Sequence, residues 1–98
     1  MIYPEDIRER IESEFGEQKT EVIHLLDNAV LQTADLKNGR IIRCILFLAG
    51  KDITKLKMNI RAAAADPRDV MYWAEYANHG QRAIRVRDFS RPFSEAEV

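Results

Sequence analysis

Apolar side chains return at helical spacing through most of the chain. Ile7, Ile11 and Phe15 stand four apart and mark one narrow stripe, which predicts a helix from about Pro4 to Phe15. Proline suits the first turn because its missing N–H would have no partner there. Glu5 and Asp6 suit the positive end of the helix dipole. Gly16 then ends the stripe. Val22, Leu25, Leu26, Ala29, Val30 and Thr33 continue the period, with Ile23 widening the face. They predict a second helix from about Glu17 to Lys37, stopped by Asn38-Gly39.

Arg40 to Ala49 is apolar nearly all round. Periodicity does not separate a buried helix from a buried strand over such a run. A helix is the better reading, because Gly50 follows as a stop. No second convincing strand is visible to pair with it, and a lone strand leaves its backbone groups unpaired. This segment should be the central helix. Asp52 is a good N-cap for a fourth helix, with Ile53, Leu56, Ile60, Ala63 and Ala64 on one face. Asp66-Pro67-Arg68-Asp69 reads as cap, first-turn proline and dipole partner for a fifth helix to about Ala77. Its expected core stripe is Val70, Trp73, Ala74 and Ala77, closed by Asn78-His79-Gly80.

The period then changes. Ile84 and Val86 alternate with Arg85 and Arg87, which is extended periodicity. With Phe89 and Phe93 following, the expectation is an extended arm whose apolar side lies on the helices. The fold class is therefore all-α: a compact bundle of about five short helices, with residues 40–49 central and a C-terminal arm. The helical body should cover residues 1–80 and the arm 81–93, while 94–98 should be disordered.

Length and charge narrow the function. At 98 residues the chain has room for one domain and not for a two-lobed enzyme. The net charge of −1 conceals an uneven spread. Residues 1–36 carry 3 basic and 9 acidic groups, residues 37–68 carry 8 and 2, and residues 69–98 carry 4 and 5. The acidic first third and basic middle either meet in the fold or leave a basic face for a phosphate or an acidic partner. The single cysteine excludes an internal disulfide and suits a reducing, cytoplasmic setting. No apolar run is long enough to span a membrane, and Glu5 and Asp6 stand where a secretory signal would be basic.

Few residues propose chemistry. Glu21 and His24 have the Glu-x-x-His spacing of di-metal bundles, but the second such motif is missing, since Tyr76 stands three residues before His79. Cys44 lies in the most apolar segment, where a thiol resists ionisation. The four glycines are isolated, so no phosphate loop is present. No metal or cofactor is expected, and no catalytic constellation is complete. The helices flanking Gly50 resemble the outline of the DNA-binding helix-turn-helix. That resemblance implies phosphate contacts from Lys51, Lys55, Lys57 and Arg61. However, Lys51 stands where that family places an apolar residue, and Asn59 and Arg61 are all that is offered for base reading.

Tyr72 and Tyr76 fall off the main stripe of the fifth helix, and the arm adds Arg82, Arg85, Arg87 and Arg91. Aromatics and arginines are the residues that most often anchor interfaces. The expected function is a non-catalytic protein-interaction module or small homo-oligomer using Tyr72, Tyr76, Arg82, Arg85 and Arg87. The alternative is a non-specific nucleic-acid binder using Lys51, Lys55, Lys57, Arg61 and the arginine arm.

Overall fold

A computed structural model describes residues 3–97, apart from the side chain of His79. The protein is an all-α bundle carrying a small β-hairpin. The helices are α1 (Glu5–Phe15), α2 (Lys19–Gln32), α3 (Gly39–Ala49), α4 (Ile53–Ala65) and α5 (Pro67–Glu75). Strands β1 (Tyr76–His79) and β2 (Arg82–Arg85) form the antiparallel hairpin.

The run 40–49 is a helix, and α3 is the hub: it touches α1, α4 and α5, and Ile41, Ile42, Cys44, Ile45, Leu46 and Ala49 are buried. Gly50 caps it at φ +61°, a conformation open to glycine and costly for other residues. The Asp52 carboxylate accepts the N–H groups of Thr54 and Lys55, as its N-cap position requires. Around α3 lie Ile7, Ile11 and Phe15 of α1, Val22 and Leu26 of α2, Leu56 and Ala63 of α4, and Val70 and Ala74 of α5.

Five expectations are corrected. The second helix stops at Gln32 instead of Lys37. Thr33 is extended (φ −138°, ψ 102°), and a 3₁₀ turn, Ala34–Lys37, keeps Leu36 in the core. Asn38 starts α3, since its side chain accepts the Arg40 N–H. The helix ends before this cap because Thr33 leaves helical dihedrals and the turn after it carries Leu36 inward.

The fifth helix stops at Glu75 rather than Ala77, and Tyr76 turns into β1. The Glu75 carbonyl takes the N–H groups of Val86 and Arg87 (2.7 and 3.1 Å), so the returning arm supplies partners for the backbone where the helix ends. Gly80 has φ +64° while Gln81 stays negative, the pattern of a type II′ hairpin turn. Trp73, expected in the core, is 52% exposed, one position round the helix from buried Ala74.

The arm's apolar contact begins later than the alternation suggested. Ile84 is 45% exposed, Val86 is half-buried and Phe89 is buried. Lastly, residues 94–97 are placed where disorder was expected. Phe93–Glu95 forms a 3₁₀ turn, Ala96 is buried and its carbonyl accepts the Asp88 N–H at 2.7 Å. Val98 lies outside the described residues.

Candidate interaction surface

Two arginines of α3 hold the arm in place, and that clasp sets the surface beside it. Arg40 and Arg43 each grip a carboxylate through two guanidinium nitrogens. Arg40 Nε donates to Glu75 Oε2 at 3.0 Å and its Nη2 to Oε1. Arg43 Nε and Nη2 donate to Asp6 at 2.8 and 3.0 Å. Each carboxylate also accepts an arm N–H: Phe89 N–H donates to Glu75 at 2.9 Å, and Phe93 N–H to Asp6 at 3.1 Å. Arg43 Nη1 reaches the Phe89 carbonyl at 3.2 Å.

Burial pushes the Glu75 carboxyl up, but Arg40, the Phe89 N–H and Arg85 outweigh it and hold the group below its ordinary value. The Arg43 hydrogen bonds hold Asp6 below its own. Both carboxylates are therefore charged at neutral pH and structural in their contacts.

The clasp engages two of the arginines expected at an interface. Arg85 Nη2 donates to Glu75 and Asp88, and Arg85 Nε to the Arg87 carbonyl. The Arg87 guanidinium lies 4.4 Å from the centre of the Phe47 ring and donates to the Ala74 carbonyl. Arg82 differs: it is exposed at the hairpin end, and no described contact engages its side chain.

The tyrosines are brought together. Tyr72 and Tyr76 stack with ring centres 5.2 Å apart and planes at 16°. They are 50% and 38% exposed, and Trp73 between them is 52% exposed. Helical spacing puts Asp69, Tyr72 and Trp73 on one outward side of α5, and Tyr76, the first residue of β1, stacks on Tyr72. Ile84 stands across the hairpin from Ala77, the residue after Tyr76. Of the six large apolar side chains exposed among the described residues, three lie here and Ile84 lies on the adjoining hairpin, on the face opposite Tyr76; Leu31 lines a groove with Val30 and Ala34, and Met58 stands on α4. Trp73 and Ile84 were missed as surface residues. The signal was present at Tyr72-Trp73, since two adjacent aromatics lie about 100° apart on a helix and a nine-residue helix with one buried face cannot hide both.

Compared with known proteins, the chain matches no family model, no curated protein and no solved structure.

The basic alternative is spread differently. Lys51, Lys55, Lys57 and Arg61 are all exposed. Lys57 Nζ faces Glu21 at 3.9 Å, and Met58 interrupts the outward side of α4. Lys57 and Arg61 flank Leu25 and Ile60 in a shallow groove of about 210 Å³. Glu21 and His24 are exposed on α2, and no group of three His, Cys, Asp or Glu side chains gathers as metal ligands among the described residues. Burial pushes the Cys44 thiol up to about 12, so it is no nucleophile at neutral pH. No described helix is long and apolar enough to cross a membrane.

Proposed function

We propose that this protein is a non-catalytic protein-interaction module whose binding face is the outward side of α5 together with the adjoining hairpin. One observation carries the reading: three of the six exposed large apolar side chains among the described residues stand there, as a stacked tyrosine pair and a tryptophan. Burying such residues against a partner is the largest gain in free energy that this surface offers. Tyrosine, tryptophan and arginine are also the residues in which interface energy concentrates. The buried free thiol fits a reducing, cytoplasmic setting.

The test is a photo-crosslinking amino acid placed at Trp73 and, separately, at Lys51 in the native host. The expected result is a discrete protein adduct from position 73 that is absent from position 51. Equal labelling from both positions would overturn the reading.

A second reading has its own observation. Lys51, Lys55 and Arg61 are exposed and make no ion pair with a described residue. As a non-specific nucleic-acid binder, the protein would bind DNA or RNA with an affinity falling steeply as salt rises. Charge reversal at Lys55, Lys57 and Arg61 would abolish that binding.

A further inference from the structure

We infer that the seam between α2 and α4 is a second docking site, whose occupant is an acidic protein segment carrying one large apolar side chain. The site does not depend on the reading of the α5 face, since no residue of α5 or the hairpin lines it. Leu25 of α2 and Ile60 of α4 are half-buried and packed on the core. They form the floor of a groove of about 210 Å³, which Lys57 and Arg61 border. All four side chains line the same hollow, so floor and cations form one surface. Helical spacing agrees, because Ile60 and Arg61 stand three and four positions after Lys57.

Size decides between classes of occupant. Sites that enclose a small molecule run to about 300–1,000 Å³. This groove is smaller and shallow, so it takes one apolar side chain and does not enclose a cofactor.

Charge decides what surrounds that side chain. Arg61 is exposed and in no ion pair with a described residue. Lys57 meets Glu21 at 3.9 Å, with both side chains about half exposed. A pair so exposed is weak and yields to a partner's carboxylate. Carboxylates on either side of the apolar anchor complement the two cations, while the anchor displaces water from Leu25 and Ile60.

The same geometry disfavours nucleic acid as the occupant. Lys55 is two residues from Lys57, about 200° round the helix, and stands on nearly the opposite side of α4. Lys51 precedes the helix. The four cations therefore do not make one surface that tracks a phosphate backbone, and phosphates offer no apolar group to the floor.

The experiment is fluorescence anisotropy with the full chain in about 0.15 M salt, where charges more than about 8 Å apart are largely screened. The probe is a labelled, capped peptide of glutamate and alanine with one central leucine. It should bind saturably, with a Kd between about 10 μM and about 1 mM. The same peptide with alanine in place of the leucine should bind at least about tenfold more weakly. Lys57→Glu combined with Arg61→Glu should weaken binding at least about tenfold. Lys51→Glu combined with Lys55→Glu should leave it within about twofold. All four positions are exposed, so each variant should keep its helical circular dichroism. Absence of saturable binding, equal binding of the two peptides, or an equal loss from the two double variants overturns the inference. A random oligonucleotide that binds more tightly than the peptide and depends on all four cations would give the seam to nucleic acid and overturn it as well. Trp73→Ala should leave peptide binding unchanged; a loss there would move the peptide to the α5 face and overturn this site without touching the reading of that face.

Discussion

Glu75 is the residue on which most depends. It is fully buried and charged, and two arginines and a backbone N–H satisfy it. Glu75→Gln removes the charge and leaves Arg40 and Arg85 without their shared partner. Because both arginines keep solvent contact and Arg85 keeps Asp88, the loss should be about 1–3 kcal/mol, the range for breaking hydrogen bonds to a buried group. Urea denaturation at neutral pH should show that loss. Arg68→Ala, at the exposed pair with Asp66, should leave the midpoint unmoved. The same residues set the acid response. Glu75 and Asp6 bind protons less readily folded than unfolded. Their contribution is complete above the ordinary carboxylate range and is lost as pH falls through that range towards their lower folded values. Urea midpoints should therefore drop between about pH 5 and about pH 3, with a flatter slope in Asp6→Asn. None of this pairing was legible in the sequence, where Glu75 is one acid on a helix and Arg40 lies 35 positions away.

Among the elements, the arm has a different role from the one its alternation implied. Residues 86–97 are part of the body, through Phe89, Ala96 and the bonds to Glu75 and Asp6. Truncation after Gln81 should therefore unfold the protein, seen as lost helical circular dichroism. Phe89→Ala alone should cost about 3–5 kcal/mol. The helices α1 and α4 were legible because their end signals and apolar periods agree, and α3 because Gly50 stops it and no second strand was visible to pair with it. The ends of α2 and α5 were not. Thr33 leaves the helix where the following turn buries Leu36, and Tyr76 where β2 returns to pair with it, and local propensity is silent about such tertiary contacts. Strand β1, Tyr-Ala-Asn-His, carries no alternating apolar signal and exists because β2 returns beside it.

For the whole molecule, the uneven charge along the chain is resolved in part by folding. Asp6 of the acidic third holds Arg43 of the basic middle, and Glu21 faces Lys57. What remains open is the α4 cations on one side and the aromatic face of α5 on another. Fluorescence anisotropy with a random oligonucleotide, read against salt, separates the two. Weak binding with a shallow salt slope is expected if the basic side is only solvated.

The helical periods of α1 and α4 and the caps at Asp52 and Asp66 were determined by the sequence, because each depends on residues within a few positions of one another, and the all-round apolar run 40–49 marked the segment to be buried. Tertiary structure alone decided which arginines are spent inside the molecule. It likewise put Trp73 outside and turned an apparent helix end into a hairpin. Those outcomes depend on which distant groups arrive together, and a buried charge or an unpaired backbone N–H is settled only by the partner that reaches it.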